Sequence, residues 1–285
     1  MRRAARAVAL GIASAVACAV AFTAIASAAQ PAQPQPADRW PDAAAAYLVE
    51  VNGSARWSRN AEEPQRPASL TKILTAIVAI DAVGDDALVT VSARAAAAQG
   101  ARIGLRRGMQ LRAHDLLTAM LLRSANDACL ALAEHVARTE SAFVAMMNAR
   151  AAALGLARSH FENACGFDAP RHRMSARDLA ELARLAMAMP RFASIVGQER
   201  GEARTRDGRV FSFDNTNALI GRVDGARGVK TGWTQAAGRC LVAYAERRGV
   251  TVTAVLLGAP DRWWDAVAMI ETGFEEARAV PVAPK

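Results

Sequence analysis

Ser69 and Lys72 stand three residues apart in the run Pro67-Ala68-Ser69-Leu70-Thr71-Lys72. Positions i and i+3 share a helix face, so a hydroxyl and an amine at this spacing can meet. A serine becomes a useful nucleophile beside a base, and a lysine is a base only when uncharged. The amide end of a helix carries partial positive charge, which disfavours a protonated amine there. The residue type also matters: of 35 basic residues only three are lysine, namely Lys72, Lys230 and Lys285. Arginine keeps its proton under ordinary conditions, whereas a lysine can be tuned to lose it. The two internal lysines are therefore candidates for work that arginine cannot do. Taken alone, a Ser–Lys pair of this spacing more often means a helix cap and a solvated side chain.

Two further stretches change that balance. Ser124-Ala125-Asn126 interrupts two apolar helical runs, and Lys230-Thr231-Gly232 ends a strand-like run. Each has an ordinary alternative, a helix cap in the first case and a strand followed by a turn in the second. Gly232, having no side chain, would let a ligand backbone lie close. The three stretches occur in the order SxxK, SxN, KTG, with 55 residues from Ser69 to Ser124 and 106 from Ser124 to Lys230. Together they resemble the motif set of class A β-lactamases and penicillin-binding proteins.

On these stretches, and on the less specific Phe213-Asp214-Asn215-Thr216-Asn217, residues 42 to 277 resemble the serine D-alanyl-D-alanine carboxypeptidases, the low-molecular-mass penicillin-binding proteins. The resemblance implies that Ser69 is the acylated nucleophile, Lys72 its base, and Ser124 the relay of a proton to the departing amine. It implies that Asn126 bonds the substrate amide and that Lys230 helps to depress the pKa of Lys72. It implies an oxyanion hole from the backbone amides of Ser69 and Trp233. Thr231 and Arg262 would hold the terminal carboxylate. The implied ligands are a peptidoglycan stem peptide and, as inhibitors, β-lactam antibiotics, with no cofactor and no metal. The implied fold is mixed α/β, a β-lactamase/transpeptidase-like three-layer sandwich. It has a mainly antiparallel sheet, helices on both faces and a helical subdomain. Class A β-lactamases carry Asp where Ala125 stands, and a deacylating Glu followed four residues later by Asn. Glu162 is the nearest candidate, but Gly166 occupies the later position. Cys165 falls where the family often has a His.

The elements that must position these residues follow from periodicity. Ala45 to Val51 and Ala55 to Ser58 read as strands joined at Asn52-Gly53, a turn whose two positions accept positive φ. Pro67-Ala68-Ser69 opens a helix to about Val83, with Ile73, Ile77 and Ile80 on one stripe. Loops and short strands fill Asp85 to Ala113. Helices are expected over 114–122, 127–138, 143–154 and 175–189, the last with Ser175 as its cap. Strands are expected over 210–213, 228–230, 240–246 and 250–258, and a closing helix over 261–274. Strand-rich ends around a helical middle suit one sheet built from both ends of the chain.

The N-terminus reads as a signal peptide over residues 1–28. Arg2, Arg3 and Arg6 precede an apolar run that ends at Ala26-Ser27-Ala28. A Pro/Gln-rich linker (29–41), a single D,D-peptidase domain (42–277) and a short tail (278–285) complete the expected organisation. Export implies a periplasmic or extracytoplasmic protein with no membrane span after cleavage.

The composition, 52% hydrophobic and 22% charged, excludes a disordered chain. Removing the three signal arginines leaves +5 of the formal +8, spread along the chain without a basic cluster, which argues against a nucleic-acid partner. Four scattered His and no CxxC argue against a metal site. Of the cysteines, Cys129, Cys165 and Cys240 follow the signal, so at least one is a free thiol or bonds another molecule. Cys129 reads as a small core residue. A D,D-endopeptidase using the same residues is the nearest rival function. A non-catalytic wall-binding protein is the rival from another class.

Overall fold

The computed structural model describes residues 36–279. The expected signal peptide, the linker up to residue 35 and the tail from residue 280 lie outside the described residues. Strands β1 (Ala46–Val51) and β2 (Ser54–Arg59) form the opening hairpin. A 3-10 turn (Ala68–Thr71) leads into α1 (Lys72–Ala82). Next come β3 (Leu88–Thr90), α2 (Ala93–Ala96), β4 (Gln110–Arg112), α3 (Ala113–Leu122), α4 (Asn126–Ala137) and α5 (Glu140–Ala153). Then follow α6 (Ala176–Met187), α7 (Pro190–Val196), β5 (Arg200–Arg204) and β6 (Val210–Asp214). The chain closes with β7 (Ala226–Thr234), β8 (Gly238–Arg247), β9 (Val250–Ala259) and α8 (Arg262–Ala279).

Both ends of the chain build one five-stranded sheet in the order β2-β1-β9-β8-β7, every neighbour antiparallel. Side chains alternate along each strand, which gives the sheet two apolar faces. Tyr47, Val49, Leu241, Val252 and Ala254 meet Met269, Ile270 and Phe274 of α8 on one face. Gly273 lets α8 approach closely, since a Cβ there would lie 2.9 Å from Val252. Leu48, Val242, Val255 and Leu257 join the helical core on the other face. The result is three layers: α8, the sheet, and the remaining helices, with small two-stranded sheets β3-β4 and β5-β6 beyond. Full burial of each such large apolar side chain stabilises the fold by about 1.5–3 kcal/mol.

Residues 36–41 do not behave as a tether. Ala37 bridges to Trp57, and the Tyr47 hydroxyl donates to Asp38 at 2.8 Å while accepting from the Arg39 N–H at 2.9 Å. Trp40 packs edge-on against Tyr47 and Trp57. The helix expected from Pro67 starts only at Lys72. Ala68 takes φ +48°, and the Thr71 hydroxyl donates to its carbonyl at 2.8 Å, so the first turn is tightened. Periodicity does not reveal α7 or β5. The first is a short helix opened by Pro190. The second is a charged strand whose inward positions are Gly201 and Ala203; at Gly201 a Cβ would lie 2.8 Å from Leu122 and Thr118.

Candidate active site

Three pieces of backbone bring the motif residues to a cleft of about 620 Å³, which residues 99–101 and 165–167 also line. The first is the 3-10 turn carrying Ser69, the second the α3–α4 turn carrying Ser124 and Asn126, and the third β7 with Thr231, Gly232 and Trp233. Neither serine spends its hydroxyl on a helix cap: the cap positions are Pro67, Thr71 and Ala125, and none of them makes a side-chain capping bond. Ser124 holds φ +63°, sparsely populated for a residue with a side chain. The Ala125 N–H donates to Ala119 and the Asn126 N–H to Ala101, and these bonds hold that turn.

Lys72 is fully buried, and its Nζ lies 2.9 Å from Ser69 Oγ. The amine also donates to the Cys165 carbonyl at 2.5 Å. Burial holds its pKa well below the ordinary lysine value, and the Lys230 charge adds to the effect. Burial thus outweighs the neighbouring cation. An uncharged amine here has a lone pair to accept the Ser69 proton, while its own N–H stays on Cys165. Lys230 is also buried, and its pKa is pushed down to about 7 by burial and then by the Arg262 guanidinium. Its Nζ donates to the Thr231 carbonyl at 2.9 Å.

β7 is an edge strand, and Thr231, Gly232, Trp233 and Thr234 on it line the cleft. The expected close approach at Gly232 is by the protein's own backbone. A Cβ there would meet Pro67 O at 3.0 Å and Ser69 N at 3.1 Å, so Gly232 seats the nucleophile turn against the strand. Trp233 is 65% exposed at the rim. Thr231 Oγ1 lies 2.8 Å from Thr216 Oγ1, and the Thr216 hydroxyl donates to Leu122 O at 3.0 Å. Asn126 donates its side-chain N–H to Gln99 O at 2.6 Å, leaving its buried Oδ1 without a partner. That oxygen is a free acceptor for an incoming N–H. Arg262 donates through Nη1 to Gly232 O at 2.7 Å and Cys240 O at 3.1 Å, and stacks on Trp263. It braces β7 and β8, and only its remaining donors and its charge are left for a ligand.

A sequence model described as D-alanyl-D-alanine carboxypeptidase matches residues 30–261. The chain belongs to the D-alanyl-D-alanine carboxypeptidase family. It is 31% identical over 250 residues to D-alanyl-D-alanine carboxypeptidase DacF of Bacillus subtilis, a match covering 85% of this chain and 64% of the relative's length. The D-alanyl-D-alanine carboxypeptidase structure from Mycobacterium tuberculosis superposes with a TM-score of 0.78 at 30% identity, covering 88% of this chain and 96% of that one. A Streptomyces DD-transpeptidase structure gives 0.76 at 29% identity over 82% and 97%. The three-layer mixed α/β fold is that of these carboxypeptidase and transpeptidase structures.

The loop behind Ser69, residues 161–172, is the part that sequence reasoning largely missed. A Cβ on Gly166 (φ +86°) would lie 1.9 Å from the Ala68 carbonyl oxygen, so only glycine fits there. His172 is buried, and its Nδ1 accepts from the Glu162 N–H at 3.1 Å. The ring therefore carries its proton on Nε2 and donates to Thr71 Oγ1 at 2.7 Å, which donates in turn to Ala68 O. Burial lowers the His172 pKa to about 4. Glu162 turns outward to the backbone and side chain of Arg171, away from any deacylating role. Asp127 accepts from the N–H groups of Gly104 and Leu105 at 2.9 Å each, fixing the loop that carries Gln99 and Gly100. A buried acid directly after SxN was the available signal for it.

Cys129, expected as a small core residue, is buried but bonded to Cys165. The bond ties α4, which begins at Asn126, to the loop whose carbonyl holds Lys72. Cys240 is the free thiol; it is buried and its pKa is raised to about 11. No group of His, Cys, Asp and Glu able to hold a metal is present among the described residues.

Proposed function

We propose that this chain is a serine D-Ala-D-Ala carboxypeptidase that removes the terminal D-alanine of peptidoglycan stem peptides through a Ser69 acyl-enzyme. The observation that carries this reading is the buried Lys72 amine, held off its charged form 2.9 Å from Ser69 Oγ. The stem peptide lies along the free edge of β7 as an added strand, which an edge strand favours. Asn126 Oδ1 accepts its amide N–H. Ser69 Oγ attacks the scissile carbonyl as Lys72 takes the hydroxyl proton. The backbone N–H groups of Ser69 and Trp233 receive the oxyanion; one such donor is worth about 10²–10³ in rate. Ser124 relays the proton from Lys72 to the nitrogen of D-alanine, the C–N bond breaks, and water later cleaves the Ser69 ester. Thr231 and Arg262 stabilise the terminal carboxylate.

A β-lactam presents a strained amide to the same oxygen, so penicillins acylate Ser69. The substrate implies an extracytoplasmic enzyme exported by the N-terminal signal. No helix among the described residues is long and apolar enough to cross a membrane. The test is release of D-alanine from a peptide ending in D-Ala-D-Ala, by the parent and by Ser69→Ala. Release by the parent alone is expected. Equal release by both, or cleavage of cross-linked dimers in preference to the linear peptide, would overturn the reading.

A further inference from the structure

The cleft is electrostatically one-sided. No Asp or Glu lines it, whereas two guanidinium groups do. One guanidinium is Arg262, whose Nη1 is already shared by two backbone carbonyls of the sheet wall. The other is Arg123, in the helical wall. It immediately precedes Ser124 in the α3–α4 turn, is exposed, and makes no ion pair or side-chain hydrogen bond among the described residues. Arg106, Arg107, Arg138 and Arg222 likewise make no ion pair among the described residues; Arg123 is set apart by lining the cleft.

Hydroxyl bookkeeping shows why a second cation matters here. Thr216 gives its hydroxyl proton to the Leu122 carbonyl, so it accepts from Thr231, whose only proton is then used. In the free protein the Thr231–Thr216 pair therefore offers a ligand no donor until Thr231 turns. Even then it offers one, to a carboxylate with about four acceptor positions. Leu122, which anchors Thr216 through both hydroxyl and N–H, is the chain neighbour of Arg123. The base of the Arg123 side chain is thus fixed beside the hydroxyl pair.

We propose that Arg123 is a further carboxylate-binding, specificity-determining residue: it meets the terminal carboxylate of the peptide from the helical wall, opposite Arg262, whose Nη1 is already held by the sheet wall. The proposal rests on the carboxypeptidase reading above, and it names the chemical class selected, a free C-terminal carboxylate over a neutral terminus. A guanidinium fits that group with paired N–H donors, which a lysine cannot match.

The test separates the two claims. In the Ser69→Ala protein, which cannot be acylated, calorimetry measures the affinity of an acetylated peptide ending in D-Ala-D-Ala and of its C-terminal carboxamide. With Arg123 intact, the acid is expected to bind more tightly. Adding Arg123→Ala should weaken the acid about tenfold and the carboxamide less than about twofold, and the loss should shrink in high salt. Arg123→Lys should recover part of the acid affinity. Equal losses for the two peptides, or none for either, would overturn the assignment of Arg123 and leave the reaction standing. If neither peptide binds with Arg123 intact, the substrate reading and this proposal both fall.

Discussion

Replacing His172 by Gln should flatten the acid limb of this protein's stability. In the folded chain His172 is buried and neutral, its pKa lowered to about 4 chiefly by burial. Glu162 opposes that shift and His160 and Arg173 reinforce it. In the unfolded chain an imidazole titrates near 6.5. Above pH ~6.5 neither state holds the proton and His172 contributes nothing to the slope. Below it the unfolded chain gains a proton that the folded chain refuses, so stability falls until the pH reaches about 4. Roughly 2.5 pH units at about 1.36 kcal/mol each give a loss of about 3 kcal/mol. A glutamine cannot titrate, yet its amide offers the donor that Thr71 needs. Urea unfolding of parent and His172→Gln near pH 7 and near pH 4.5 reads the effect directly. The parent should lose about 2–3 kcal/mol more than the variant between the two. All other groups titrate in both proteins and cancel. Equal losses would show that the ring takes up its proton as readily folded as unfolded, and that Nδ1 is not held as an acceptor for the Glu162 N–H.

Gly166→Ala would put a methyl group 1.9 Å from the Ala68 carbonyl oxygen, so the Ser69 turn must move. Fluorescent-penicillin labelling should fall at least about a hundredfold even in the soluble fraction, since small misplacements at a reacting centre cost that much. Reducing the Cys129–Cys165 bond opens a loop of 36 residues. Loop-closure entropy then predicts a loss of about 3–4 kcal/mol, read as a lower unfolding midpoint with reductant. Labelling of Ser69 should slow as well, because the bond holds the loop whose carbonyl receives Lys72.

The chemistry of this chain was easier to read than its support. The Ser–Lys spacing, the SxN turn and the KTG strand lie in short runs, and their order excludes most ordinary meanings. The sheet was legible at β1, β2, β8 and β9 because alternation and the Asn52-Gly53 turn are local signals. The loop from 161 to 172 was not legible, because Gly166, His172 and Cys165 act through contacts with residues near 68, 72 and 129. No periodicity encodes such distant contacts. β5 escaped for the opposite reason: its inward positions are Gly201 and Ala203, too small to leave a strong hydrophobic mark. Arg262 was expected to hold the terminal carboxylate. The residue lines the cleft as expected, but its hydrogen bonds go to the backbone of β7 and β8.

The account turns on Lys72 acting as a neutral base toward Ser69, and Lys72→Arg examines that with the positive charge retained. Intact-protein mass after penicillin treatment should show one adduct on the parent, none on Ser69→Ala, and none on a folded Lys72→Arg protein. A full adduct on Lys72→Arg at the parent's rate would mean that some other group removes the Ser69 proton, and would contradict the mechanism.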